Sequence, residues 1–466
     1  MFETYLWLTG IVIGCAMLMA YAMAQDPLHP LMFLGPMFFY IHVLIPGAHF
    51  YRGVLPDYFV EPRILDFAQL VILVSMTAFC LGCLRIRVGA SIRTLVHTPL
   101  HLTESTCKRL QYTSYLLAAI GLASFMAKMA AGGGFVEMYS RAKGGGGMWG
   151  LSGYIASAPL LTIPAIMFYM LSLQGRRFRP LDMVTVLLYA SPQLIQGFLG
   201  GSRGNLFITA ATVALGWYLA SSRRPSFSLL MMGVIILGSM MLFIKAYRRQ
   251  IYIGSEFEIE TKPVMEILLP EEVATSDVSV YTLAHITAMH TYRHHYWGRR
   301  YFVQLFVRPI PRHWWPTKYE DMGMDELINA PGKGGLNDQD WRSLFGWIPQ
   351  TGSAVGLIAD TFAEFSWAGC LVCYLMGWVY GTLWKKAVLD KGLWAVIYLY
   401  ACVVSVYLPT QGLISAWSFR FLYLTLPTIA LWNVVVYIRE RKRSRQMRLA
   451  AAMNTPAAAG EDDLFE

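Results

Sequence analysis

The sequence predicts an all-α polytopic membrane protein. Hydrophobic residues make up 56% of the 466 residues and charged residues only 14%, a composition well outside that of soluble globular domains. Apolar runs of roughly 20 residues recur along the chain, and a helix of that length crosses a hydrocarbon core of about 30 Å. A soluble protein of this composition would need many buried helices with almost no polar face. The composition therefore argues against a soluble protein.

About eleven membrane-spanning segments are predicted from these runs. They lie at residues 6–23, 30–50, 67–84, 114–129, 155–173, 183–199, 206–220, 229–243, 367–383, 393–408 and 419–437. Lys and Arg concentrate in every second connection and in the tail after the last segment. Because basic loops stay in the cytoplasm, we expect a cytoplasmic C-terminus and, with an odd number of spans, an N-terminus outside. The first residues lack the basic stretch of a cleaved signal peptide, so the first span is expected to remain.

The chain divides into four parts. Residues 1–244 form an N-terminal transmembrane region, 245–352 a polar loop domain, 353–438 a C-terminal transmembrane region and 439–466 a basic tail. A loop of about a hundred residues is far longer than a usual connection, and such loops are usually functional or a small domain. We expect it to be extracytoplasmic. The basic tail, which contributes to the net charge of +9, is typical of an anchor at anionic lipid and not of nucleic-acid binding.

The densest cluster of cations and aromatic side chains lies in this loop, at residues 306–318. Arg308, Arg312, His313 and Lys318 are interleaved there with prolines and a pair of tryptophans. A guanidinium binds two phosphate oxygens at once through its planar fork, and prolines fix the shape of a turn. The cluster indicates an anion-binding turn, although tryptophans beside cations are also typical of an interfacial aromatic belt.

Further arginines are expected on the same side of the membrane. Arg203 stands in the Gly-Ser-Arg-Gly turn at 201–204, at the start of a helix where the free backbone and its N–H groups favour an anion; a tight turn with a snorkelling arginine is the alternative. Arg248 and Arg249 follow the eighth span at its expected outer end, where the positive-inside rule predicts few basic residues. This suggests a ligand role, and interfacial anchoring is the alternative. Arg141 lies in a glycine-rich connection that lacks the Gly-Lys-Ser/Thr of a P-loop, but it could still reach an anion.

Two carboxylates enter the membrane on one helix face. Asp360 and Glu364 are four residues apart in an apolar helix. Carboxylates in such a place are costly, so they usually face a cavity and have a task. Either is a candidate general base with a raised pKa. The alternative is a structural ion pair with Arg203 or Arg248.

No metal site is predicted. A site formed by His285, His290, His294 and His295 is conceivable, but no carboxylate lies within that cluster and the His-Glu-x-x-His pattern is absent. Two Cys-x-x-Cys pairs lie inside apolar helices without further ligands at a metal-binding spacing. We interpret these cysteines as small packing residues.

Three stretches carry a family resemblance. They are the Gly-Ser-Arg-Gly turn at 201–204, the Pro-Arg-x-x-Trp-Pro-x-Lys pattern at 311–318, and a glycine-rich entry followed by Ala-Glu-Phe and Gly at 363–369. In this order they resemble the Wzy-type O-antigen polymerases, or oligosaccharide repeat-unit polymerases, and the span number and single long loop extend the resemblance over most of the chain. The sequence departs from the family pattern at Trp367-Ala368 and at Tyr319, none of them a charged position.

The resemblance implies a GT-C-like glycosyltransferase of the bacterial inner membrane, with its site on the periplasmic face. Its partners would be undecaprenyl-diphosphate-linked glycans as donor and acceptor, membrane lipids and, as a candidate, a chain-length regulator. The growing glycan leaves its carrier diphosphate and joins the acceptor unit. No cofactor or metal is implied.

Roles for the candidate residues follow from this chemistry. A leaving diphosphate develops negative charge that fixed cations must meet. The candidates for that task are Arg203, Arg248, Arg249 and Arg312, together with Arg308, Lys318 and Arg141. The acceptor hydroxyl needs a base, for which Glu364 is the first candidate and His313 the second.

Two other functions compete with polymerisation. An O-antigen ligase shares the fold class and the donor but transfers the glycan to lipid A-core. A lipid-linked oligosaccharide transporter would favour internal repeats and a midplane site. The two halves of the chain show no repeat, and the charged candidates cluster at one face.

Overall fold

The computed structural model describes residues 1–59, 61, 63–86, 102–140, 157–220, 277–324, 333–349, 353, 355–410 and 414–437, with scattered residues between 232 and 267. Every regular element in these ranges is helical, which confirms the all-α class.

The helices are numbered along the chain. They are α1 (Phe2–Ala24), α2 (Pro30–Phe39), α3 (Ile45–Tyr51), α4 (Ile64–Arg85), α5 (Glu104–Ala131), α6 (Phe135–Tyr139), α7 (Thr162–Ser172), α8 (Pro180–Phe198), α9 (Arg203–Ala220), α10 (Val278–Thr291), α11 (Arg299–Phe302), α12 (Lys318–Asp321), α13 (Asp338–Phe345), α14 (Gly356–Phe365), α15 (Gly369–Leu389), α16 (Gly392–Val404), α17 (Tyr407–Thr410) and α18 (Ile414–Trp432). A π-helical turn, Tyr40–Leu44, joins α2 to α3, and a second, Val303–Val307, continues α11.

Among the described residues, seven helical segments are long and apolar enough to cross a membrane. They are Phe2–Ala24, Pro30–Tyr51, Ile64–Arg85, Glu104–Ala131, Gly356–Leu389, Gly392–Thr410 and Ile414–Val435, and a shorter apolar helix covers Ala158–Ser172. Helices α8 and α9 lie where two further spans were predicted, and residues 229–243 fall largely outside the described ranges. The membrane character is thus confirmed, while the count of about eleven spans stays a prediction.

Helices α4 and α15 pack backbone to backbone through glycines. A Cβ at Gly82 would overlap the carbonyl oxygen of Tyr374, and one at Gly377 would overlap the carbonyl oxygen of Phe79. Small residues let membrane helices approach this closely and gain dispersion contacts. The Cys-x-x-Cys pairs belong to the same two helices, and their sulfurs are free thiols. Their placement agrees with a packing role.

The predicted polar loop contains a buried helix. The side chains from Ser279 to Met289 on α10 are all buried, and α10 packs against α4 and α14. The Thr282 hydroxyl donates to the carbonyl of Val355 at 2.7 Å, next to the start of α14. With 14 residues, α10 spans about 21 Å and is too short to cross the bilayer. Part of the segment expected to be a separate polar domain is therefore packed into the helical core.

Candidate functional site

A buried arginine holds both carboxylates of α14. Arg300 Nε donates to Glu364 Oε1 at 2.6 Å, and Arg300 Nη2 donates to Asp360 Oδ1 at 2.5 Å. Arg300 is 6% exposed and the two carboxylates are 0% exposed. Asp360 and Glu364 meet the same guanidinium because they lie one turn apart on one helix face. The partner of these carboxylates is thus Arg300, where the sequence had suggested Arg203 or Arg248.

The remaining carboxylate oxygens are also occupied. Asp360 Oδ2 accepts from the Tyr301 hydroxyl at 2.6 Å and from the backbone N–H of Ile414 at 3.1 Å. Glu364 Oε2 accepts from the backbone N–H of Gly298 at 2.9 Å. Burial by itself would lower the pKa of Arg300, but the two carboxylates outweigh it and raise that pKa above its ordinary value. A buried ion pair is tolerated only with such full hydrogen bonding.

A tight turn brings Arg300 to the end of α14. The backbone N–H groups of Tyr296 and Trp297 donate to the carbonyl oxygens of Ala363 and Glu364, at 3.0 and 2.6 Å. Gly298 adopts a φ of +83°, a left-handed conformation that glycine permits without strain. These bonds satisfy carbonyl groups that the end of a helix leaves open. The backbone of this turn therefore caps the end of α14, and the same turn places Arg300 beside the two carboxylates of that helix.

Lys318 organises the basic turn from inside. Its side chain is buried, and Nζ donates to the carbonyl oxygens of Val307, at 3.1 Å, Arg308, at 2.9 Å, and Ile310. Burial, followed by the nearby Arg312 and Arg308 cations, lowers the pKa of Lys318. These bonds hold the Lys318 ammonium inside the turn and not at its exposed surface.

The other cations of this turn face outward. Arg308, Arg312 and His313 are exposed, and within the described chain neither arginine forms an ion pair with a carboxylate. The Arg312 guanidinium lies 5.6 Å from the Tyr319 ring centre. The His313 ring lies 5.5 Å from that of Trp314, edge to face. These side chains are accessible to an anionic ligand.

A third group surrounds Tyr407. Arg203 begins α9 and is exposed, and a Cβ on the following Gly204 would lie 2.8 Å from the Tyr407 hydroxyl. The Arg420 guanidinium lies over the Tyr407 ring, 3.9 Å from its centre. Arg420 was missed by the sequence analysis, although a cation near the start of the predicted span 419–437 is a signal that could have found it.

These groups converge on α17 and the first turns of α18. Tyr407 contacts the Gly-Ser-Arg-Gly turn, the N–H of Ile414 donates to Asp360, and Ser415 bonds to the side chain of Gln304 beside the basic turn. Segments far apart in the sequence thus meet at one end of the helices. Arg141, Arg248 and Arg249 lie outside the described residues.

The four histidines of the conceivable metal site have different neighbours. His290 stacks on Phe67, with ring centres 3.8 Å apart, and His295 Nδ1 lies 3.1 Å from the carbonyl oxygen of Phe362. His285 lies between Tyr281 and Trp341, and the His294 ring lies edge to face against that of Tyr296. Within the described chain, no group of three or more His, Cys, Asp or Glu side chains is placed to hold a metal ion.

The fold and this site define an all-α membrane protein with a charged cluster at one end of its helices. Searches against protein-family models, curated proteins and solved structures found no match.

Proposed function

We propose that the protein is a GT-C-type glycosyltransferase that polymerises undecaprenyl-diphosphate-linked oligosaccharide repeat units of O-antigen or a related surface polysaccharide. The observation that carries this proposal is the convergence on α17 and α18. The Gly-Ser-Arg-Gly turn and the Ala-Glu-Phe helix contact this segment, and Gln304, in the π-helical turn that leads into the basic turn, bonds to Ser415. The two contacting stretches and the basic turn are the three that resemble the polymerases.

The cations suit the leaving group. The acceptor hydroxyl attacks the anomeric carbon of the donor, the bond from that carbon to the diphosphate oxygen breaks, and the carrier diphosphate leaves with the electron pair. Fixed guanidinium groups can stabilise this developing charge. Arg203, Arg308 and Arg312 are exposed in the described part of the chain. Lys318 would serve indirectly, because it fixes the turn that presents Arg308 and Arg312.

The acceptor hydroxyl must lose its proton to a base. His313 is exposed and could accept it directly. Glu364 is bonded to Arg300 and to Gly298, so it could act as the base only in a conformation where the Arg300 pair opens. A fully active Glu364→Gln variant would remove Glu364 from this role, and a fully active His313→Gln variant would remove His313.

The reaction class is tested with purified protein in liposomes. The protein receives one lipid-diphosphate repeat unit and no other acceptor, and the products are separated by size. A ladder of products is expected from a polymerase. Transfer only after lipid A-core is added would instead identify a ligase, and movement of intact substrate across the bilayer without new bonds would identify a transporter.

A further inference from the structure

Two arginines in the helical core differ in how their charge is compensated. Arg300 is bonded to two carboxylates. Arg420 lies on α18, an apolar candidate span, and is half-buried. Over the ranges that the structure describes, no carboxylate lies within ion-pair distance of Arg420. An arginine inside a span usually pairs with a carboxylate or faces a cavity or ligand pathway.

The contacts of Arg420 orient its guanidinium without neutralising it. Arg420 Nη1 donates to the carbonyl oxygen of Ala416 at 3.2 Å, one turn earlier on the same helix. The guanidinium also stacks on the ring of Tyr407, a favourable cation–π contact that leaves its charge intact. Neither contact brings a negative charge to Arg420.

A second arginine begins the helix that contacts the same tyrosine. Gly204 has no side chain, so the start of α9 lies directly against the Tyr407 hydroxyl, and Arg203 is the preceding residue. An arginine at this helix start would add N–H donors to those of Arg420 for a ligand with many oxygens. A diphosphate has that chemistry.

The surroundings also suit a lipid-linked ligand. Phe419, Leu422 and Leu426 are 37%, 46% and 58% exposed. At spacings of three and four residues they form one apolar stripe along α18, next to Arg420. A polyprenyl chain could lie along this stripe while its phosphates meet the arginine.

We propose that Arg420, held by Tyr407 and acting with Arg203, binds the diphosphate of the polyprenyl carrier. This inference rests on the proposed function and adds a ligand-binding residue from the last helix to it. The planar fork of arginine is required, because a lysine supplies charge without two parallel donors.

The test measures binding of undecaprenyl diphosphate to the purified full-length protein in nanodiscs, with undecaprenol as the uncharged comparison. Loss of one charge-assisted contact should weaken binding about tenfold or more. We expect that loss in Arg420→Met and a smaller one in Arg420→Lys. The matched control is Lys386→Met, because Lys386 Nζ also lies 3.9 Å from an aromatic ring centre, that of Trp394, but at the last turn of α15, remote from Tyr407.

The outcomes separate the two proposals. Weaker binding in both Arg420 variants with an unchanged Lys386→Met supports the site. If the wild-type protein binds the diphosphate and Arg420→Met binds it equally well, the Arg420 inference is overturned and the proposed function stands. If the wild-type protein does not distinguish the diphosphate from undecaprenol, both are overturned. Should Arg420→Met fail to fold, unchanged binding by Arg420→Lys overturns the Arg420 inference, because that inference requires the planar fork of arginine.

Discussion

Arg300 shows why the position of a charge matters more than its presence. The guanidinium sits among two carboxylates, a tyrosine hydroxyl and backbone N–H groups, with hardly any access to solvent. The cluster of Arg300, Asp360 and Glu364 is stable only while all three charged groups are present. A buried charge that loses its partner has no water to compensate it.

Replacing Arg300 with methionine is therefore expected to destabilise the protein by about 3–5 kcal/mol. Thermal unfolding and monodispersity of the purified variant in detergent measure this effect. The control is Lys108→Met, which breaks an exposed ion pair with Glu104 and should leave both measurements unchanged, since exposed pairs contribute little. An Arg300→Met variant as stable as Lys108→Met would contradict the structural role of this cluster.

His285 is expected to make the free energy of unfolding depend on pH. Within the described structure neither ring nitrogen has a hydrogen-bond partner. Burial, with added repulsion from Arg300 and His294, lowers the pKa of His285 from 6.5 to about 3. Between these values the unfolded chain binds a proton that the folded protein does not. The free energy of unfolding should therefore fall as pH decreases below about 6.5.

The measurement compares melting temperatures at pH 7.5 and pH 5. A His285→Leu variant cannot bind this proton, so it should lose less stability than the wild type between the two conditions. Equal losses in the two proteins would show that His285 does not carry the pH dependence.

At the scale of elements, the glycines of α4 and α15 fix the helical scaffold. Gly377 and Gly82 face backbone atoms of the opposing helix, so even one methyl group forces the helices apart. The sequence predicted both helices and the packing role of their cysteines. It did not show which glycines form the contact, because that depends on how the two helices cross.

We expect Gly377→Ala to reduce the melting temperature and the yield of monodisperse protein, owing to overlap with the backbone of Phe79. Gly14→Ala is the matched control, since α1 leaves open space around Gly14 and alanine favours a helix by about 1 kcal/mol over glycine. A Gly377→Ala variant at least as stable as Gly14→Ala would contradict this close packing of α4 against α15.

The loop between the eighth and ninth predicted spans was the hardest element to anticipate. Its cationic turn was predicted because Arg308, Arg312 and Lys318 are interleaved with prolines and tryptophans, but the inward direction of Lys318 was not predicted. Helix α10 was overlooked because it is too short for a span and lies in an otherwise polar stretch. Long-range pairs such as Arg300 with Asp360, 60 residues apart, cannot be selected from sequence when many arginines are available.

For the whole molecule, composition and the length of the apolar runs were sufficient to predict a helical membrane protein, because apolar runs of about 20 residues are typical of membrane-spanning helices. The proposed function depends on long-range contacts that composition does not contain. These contacts bring the start of α9, the α14 carboxylates and the π-helical turn before the basic turn to α17 and α18. We propose that this meeting point serves transfer from a lipid diphosphate.

The most direct test is the polymerising activity of Arg203→Ala in liposomes supplied with a lipid-diphosphate repeat unit. Lys386→Ala, at the other end of the helices, is measured beside it with protein amounts matched. We expect the product ladder to be lost, or reduced by at least about tenfold, in Arg203→Ala, and to be retained in Lys386→Ala. A full ladder from Arg203→Ala would contradict the claim that this cluster of cations serves the leaving diphosphate.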